Sequence, residues 1–177
     1  MTNRGWRQFN VLVQTFSARM NSTHEQEPIE YTLRSYPRFP RNWYYPKFRL
    51  ATWHPIGVLT DEVADQIIEF TEIQERDEKQ PFDRYTDFSG LTHLQLEINH
   101  VFEIARRRRA AAGAPVKSAI LADQPISLSI AKMYERLMER AIITVRVFED
   151  RKAAAEWLGV PLKILYPPGE QKRKPIA

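Results

Sequence analysis

Between residues 48 and 160 the apolar positions change period again and again, from the twofold repeat of strands to the 3.6-residue repeat of helices. Phe48 to Trp53 and Ile56 to Leu59 have strand length and composition, parted by His54-Pro55, where proline interrupts a ladder. Thr60-Asp61 then offers a helix cap with acids in the first turn, and Val63, Ala64, Ile67, Ile68 and Thr71 share one helical face. Pro81 forbids continuation. The strand Asp83 to Phe88 follows, then a helix expected from Thr92, where Thr92 and Gln95 have capping-box spacing. Its apolar stripe reads Leu94, Ile98, Val101, Phe102 and Ala105, and Gly113 with Pro115 ends it. Val116 to Ala122 is a mostly apolar strand, as suits a central position covered on both faces. A helix from about Ser127 carries Ile126, Ile130, Met133, Tyr134 and Leu137. The strand Ile142 to Phe148 and a short helix ending at Trp157-Leu158-Gly159 complete the series. Strands alternating with helices imply crossover units and a largely parallel sheet, hence the α/β class.

The flanks read differently. Residues 1–19 contain no acid and space Trp6, Phe9, Val13, Phe16 and Met20 three and four apart, one face of a helix. Such a start suits a targeting segment or an interfacial anchor. Alternatively Met20 is the biological start and residues 1–19 are an extension. No apolar core or small-residue cleavage site follows, so a secretory signal does not fit. Pro28, Pro37, Pro40 and Pro46 argue for an extended arm. The expected division is a basic, Pro- and aromatic-rich arm over 1–47, an α/β domain over 48–165, and a disordered basic tail over 166–177. Composition narrows the chemistry. The chain of 177 residues holds no cysteine, which removes disulfides, thiolate zinc sites and iron–sulfur clusters and suits a reducing cytoplasm. No apolar run approaches the ~20 residues that cross a bilayer. The net charge of +4 is concentrated in the first fifty residues and in Lys172-Arg173-Lys174, so the domain itself is not a polycation.

Several segments taken together resemble the STAS superfamily, specifically its SpoIIAA-like branch. They are Thr86-Asp87-Phe88-Ser89-Gly90-Leu91-Thr92, Val116-Lys117-Ser118-Ala119-Ile120-Leu121-Ala122 and Ala131-Lys132-Met133-Tyr134-Glu135. The ending Val145-Arg146-Val147-Phe148-Glu149-Asp150 with Ala154-Ala155-Glu156-Trp157-Leu158-Gly159 is similar to that branch as well. The resemblance covers about residues 48–160. It implies a mixed, largely parallel sheet of four to five strands flanked by helices, and a role in protein interaction or small-ligand sensing. Anti-sigma-factor antagonists of the superfamily carry a phosphorylatable serine on the helix that follows. Here the corresponding segment is Leu94-Gln95-Leu96-Glu97-Ile98, without a hydroxyl, so that switch is not carried over. Glu97 is a poor substitute, having less charge and fewer acceptors than a phosphate.

Other constellations compete with ordinary explanations. Asp87, Asp123 and Asp150 stand at or just past the carboxyl ends of strands, the edge where open α/β sheets bind ligands. Convergent carboxylates there would hold Mg²⁺ for phosphoryl chemistry; as helix caps and turn residues they need no such role. His93, Glu97 and His100 would share a helix face, but they span two turns and lack the tight His-Glu-x-x-His spacing. Arg106 to Arg109 complement the negative end of a helix dipole, or meet a phosphate or acidic partner. Tyr36, Arg38, Phe39, Arg41, Trp43, Tyr44, Tyr45, Lys47, Phe48 and Arg49 mix rings with cations, as single-stranded nucleic acid or a membrane surface would require. They equally suit an arm laid on its own domain or on a second copy. Ser89, Ser127 and Ser129 lack a nucleophile elbow, and no His follows Ser129. The expectation is therefore a non-catalytic domain without cofactor or metal. It would bind a protein partner, another copy of itself, or a small apolar or lipid ligand, with Trp53, Phe88, Phe102, Tyr134 and Phe148 as candidate lining.

Overall fold

A computed structural model describes residues 28–30, 40–77 and 81–170. In chain order the elements are β1 (Ile29–Glu30), β2 (Arg41–Tyr45), β3 (Leu50–His54), β4 (Gly57–Thr60), α1 (Asp61–Asp77), β5 (Asp83–Asp87) and β6 (Leu91–Gln95). Then follow α2 (Ile98–Arg109), β7 (Val116–Leu121), α3 (Pro125–Leu137), β8 (Ile143–Phe148) and α4 (Arg151–Leu158). Six strands form one sheet in the order β1-β2-β3-β5-β7-β8. The pairs β1/β2 and β2/β3 are antiparallel, and β3, β5, β7 and β8 run parallel. The central pair of the expected sheet is present, with Tyr85 opposite Ala119 and Thr86 opposite Ile120. A separate parallel pair joins β4 to β6. Among the described residues no helix is long and apolar enough to cross a membrane.

Twofold alternation along β5 assigns its side chains to two layers. Tyr85 points to the layer of α4, where Ala119, Leu121, Ala154, Ala155, Leu158, Ile164 and Leu165 are buried together. Arg84 and Thr86 point the other way, toward α1, α2 and α3. On that side Ile120 packs with Ala105, Ala131, Met138 and Ile143. Trp53 is buried and meets Phe70 of α1 edge to face, with centroids 5.5 Å apart. Small residues bring α3 close to the sheet, since its buried positions are Ser127 and Ala131 while Ile126 is exposed.

Three boundaries differ from the sequence reading. Leu91 to Gln95, expected to open a helix at Thr92, is a strand, because its backbone pairs with β4. The Glu97 N–H then donates to Asp61 Oδ1 at 3.1 Å, and the helix begins at Ile98. That later start turns the buried stripe to Val101, Ala105 and Arg108, leaving Ile98 and Phe102 exposed. The fold also begins before Phe48. Strand β2 lies within the expected arm, and its Trp43, Tyr44 and Tyr45 are buried, so the sheet has more strands than the four to five expected. At the other end Tyr166, placed in the disordered tail by the sequence, lies under the Arg151 guanidinium at 4.2 Å. The proposed helix over 1–19, the Met20 start and the basic end at 171–177 fall outside the described residues.

The last helix has the expected cap. Asp150 accepts from the Ala153 N–H at 2.8 Å, and Gly159 closes the helix with φ +74, a left-handed conformation that glycine adopts at little cost. Asp150→Ala is expected to destabilise the fold by about 1 kcal/mol. Asp123→Ala, at an exposed position, should stay within about 0.5 kcal/mol of wild type. Urea denaturation of both variants checks the contrast.

Candidate functional site

Above the α1–α3 face of the sheet lies a cavity of about 130 Å³. Its floor comes from Trp53 of β3, Arg84 and Thr86 of β5, and Ser118 and Ile120 of β7. Register explains the grouping: Trp53 pairs with Thr86, Thr86 with Ile120, and Arg84 with Ser118, so all five project from neighbouring rows of one face. The helices roof it with Ile67, Ile68, Val101, Ile104, Ile130 and Tyr134. Most of this wall is hydrocarbon, and Arg84 and Arg108 bring the charge.

Both arginines are buried, at 7% and 3% exposure. Arg108 donates to the two Glu75 oxygens at 2.9 and 2.6 Å, and Arg84 Nη2 donates to Glu75 Oε1. Arg107 grips Glu72 with its Nε 2.8 Å from Oε1. Burial works to raise the Glu75 carboxyl, but hydrogen bonds from Arg108 and the charges of Arg84 and Arg108 hold it below the usual range. Burial pulls the Arg84 guanidinium down from its ordinary value despite Glu75, and Arg108 pushes it the same way. Burial pushes the Tyr134 hydroxyl up to about 12, so it keeps its proton at neutral pH. Nε and Nη1 of Arg84 have no hydrogen-bond partner among the described residues.

A second polar cluster occupies the opposite face. Asp87, 3% exposed, ends β5 and accepts from the Ser89 N–H at 2.9 Å and the Ser89 hydroxyl at 2.6 Å on Oδ1. Its Oδ2 receives Arg151 Nη2 at 2.5 Å and the Tyr85 hydroxyl at 3.2 Å, with His54 Nδ1 3.6 Å away. Burial works to raise this carboxyl, but His54, Ser89 and Arg151 outweigh it and hold it far below the usual range. Both oxygens are thereby committed within the protein.

The candidate residues scatter accordingly. Trp53, Phe88 and Tyr134 meet at the cavity. Phe148 does not, because it packs against Trp157 beside the α4 layer, and Phe102 is 46% exposed on α2. The three acids have separate surroundings: Asp87 is held by Arg151, Asp150 caps α4, and Asp123 is exposed. Among the described residues no three His, Cys, Asp or Glu are placed to share an ion. His93 sits on β6 and His100 on α2, so with Glu97 at the helix start they share no face. His100 Nε2 instead lies 3.2 Å from Asp65.

The arginine run is more than a solvated helix end. Arg107 and Arg108 bind acids of α1, and Arg109 donates to the Leu137 and Glu139 carbonyls at 2.6 and 2.8 Å. Trp43, Tyr44 and Tyr45 are buried in the fold and unavailable for stacking on bases; Tyr36, Arg38 and Phe39 lie outside the described residues. Sequence reasoning missed Arg84 and Glu75, and it took Arg108 only as one of the four arginines ending the helix. Two signals pointed to the arginines. Arg84 stands between Phe82 and Thr86 at positions of one strand parity, and Arg108 continues the spacing of Val101 and Ala105.

No family model matches the sequence, and no curated protein matches it. Among solved structures the chain is similar to an uncharacterized protein of the DUF3478 family with a SpoIIAA-like fold, from Shewanella loihica PV-4. The two are 14% identical, the match covers 80% of this chain and 99% of the other, and the TM-score is 0.43. The fold ascribed to that protein is the one the sequence motifs resemble. At this distance the similarity says nothing about ligand or activity.

The Asp87 cluster has a titration consequence. A carboxyl held below its unfolded value of ~3.9 stabilises the fold above that pH and loses the contribution as pH falls toward the folded value. Wild type should therefore lose stability steadily below about pH 4. Asp87→Asn, which weakens a charged hydrogen-bond network, should cost about 2 kcal/mol at pH 7 and flatten that acid slope. Chemical denaturation at stepped pH measures both.

Proposed function

We propose that this protein is a non-catalytic binding domain that holds a small apolar ligand in the cavity between the sheet and α1–α3. The observation that carries the reading is the cavity itself, about 130 Å³ walled mainly by Trp53, Ile67, Phe88, Val101, Ile120 and Ile130. A space of roughly 150 Å³ lined by aliphatic and aromatic groups accepts one benzene-sized molecule. A ligand there would gain the dispersion contacts that side chains facing a gap forgo. The candidate nucleophiles favour binding over turnover. Ser89 donates its hydroxyl proton to Asp87, and Ser127 and Ser129 donate to the backbone carbonyls of Gln124 and Pro125. The Asp87 carboxylate that receives the Ser89 proton is held, against the effect of burial, far below its usual range by His54, Ser89 and Arg151, which makes it a weak base toward that hydroxyl.

Benzyl alcohol tests the reading as a neutral probe. Millimolar probe is expected to shift the NMR signals of the Ile67, Ile120 and Ile130 methyl groups and to raise Tm. At a hundredfold excess over Kd the gain is about 2.7 kcal/mol. Ile130→Trp, which extends a half-buried wall residue into the space, should abolish both responses while the protein remains folded. Unchanged methyl signals in wild type at saturating probe would remove the proposal.

A further inference from the structure

We propose that the ligand of this cavity is a small apolar monocarboxylate whose head meets the Arg84 guanidinium; this rests on the cavity being the binding site. Most of the cavity wall is hydrocarbon, contributed by Leu59 of β4 and by Ile67, Val101 and Ile104 of the helices. Its polar groups come from both layers, Arg84, Thr86 and Ser118 from the sheet and Arg108 and Tyr134 from α2 and α3. A purely apolar ligand would leave the unpartnered Arg84 nitrogens as they are.

Arg84 decides the matter. The residue is more than nine-tenths buried and lines the cavity, and two of its three nitrogens have no hydrogen-bond partner among the described residues. Leaving a buried donor unmatched is unfavourable, and more so when the group is charged. An acceptor in the cavity recovers that cost, and an anionic acceptor recovers most because hydrogen bonds between ions are the strong ones. The local charge agrees. Arg84 and Arg108 share the single carboxylate of Glu75, while Glu72 serves Arg107 and approaches Arg108 at 3.5 Å. At the cavity wall itself the two guanidiniums of Arg84 and Arg108 hold the one Glu75 carboxylate between them. Asp65 and Glu69 act on Arg107, the most exposed of the three. A head with one negative charge complements a guanidinium pair that shares one carboxylate. The cavity volume restricts its apolar part to about one ring or a short branched chain.

Benzoate and benzyl alcohol, nearly equal in shape and different in charge, separate this inference from the reading beneath it. Calorimetry at pH 7 should give benzoate at least tenfold tighter binding than benzyl alcohol. On benzoate titration the Nε–H resonance of Arg84 should move, which tests the contact in the wild-type chain. Arg84→Met should erase the preference while benzyl alcohol still binds. Equal affinities, or benzoate binding that leaves the Arg84 resonance unmoved, would overturn the carboxylate assignment and leave the cavity reading intact. Binding of neither probe would overturn both.

Discussion

Glu75 is the constraint around which the α1–α3 side of the molecule is arranged. One carboxylate on the last turns of α1 receives Arg84 from the sheet and Arg108 from α2, tying three elements to a single point. Two guanidiniums would not stay buried without it, since removing an ion from water costs several kcal/mol unless a partner and further hydrogen bonds compensate. The arrangement specifies more than it stabilises. Well-packed apolar residues would hold the helices as firmly, but they would not fix the angle of α1 to one oxygen pair. Both arginines also line the cavity, so the ion pair and the cavity share one wall.

Strand β5 carries this cluster on one face and the Asp87 cluster on the other. The two are built in opposite senses. On the α4 side a buried acid is fully matched by Tyr85, Ser89 and Arg151, so it has no remaining capacity for a ligand. Toward α1–α3 a buried base keeps donors that its own partner does not reach. The carboxyl-end rule for α/β sheets directs attention to Asp87, Asp123 and Asp150, yet hydrogen-bond matching moves it three residues back along β5, to Arg84.

Alternation and helix caps were readable in the chain because they depend on neighbours a few residues away. The strands around Tyr85 and Ile120, the Thr60 and Asp150 caps and the Gly159 stop are of this kind. Thr92 to Gln95 misled because a capping-box pattern is local while the strand it joins is set by β4, more than thirty residues earlier. The buried rings of β2 were mistaken for an arm for a similar reason, since only pairing with β3 makes Trp43 and Tyr44 interior. The cavity was half legible. Aromatic content singled out Trp53, Phe88 and Tyr134, but nothing in their spacing separates them from Phe102 and Phe148. The ionic wall was hidden by the habit of assigning charge to solvent. A run of four arginines on a helix covers every direction, so one of them must face the core. Arg108 is that one.

The identity of the buried base also bears on chemistry. A lysine at position 84 would meet the same desolvation by giving up its proton, as buried lysines do, and would then be a nucleophile or a proton acceptor. Arginine starts from an ordinary value so high that even the lowering imposed by burial leaves it charged at neutral pH. It therefore offers a permanent, directional cation and no proton to exchange. Tyr134 beside it likewise retains its proton, because burial lifts its hydroxyl to about 12. A wall made of groups that do not titrate near neutrality is suited to holding a charged head in place. It is poorly suited to general acid–base catalysis, which needs a group poised near the working pH.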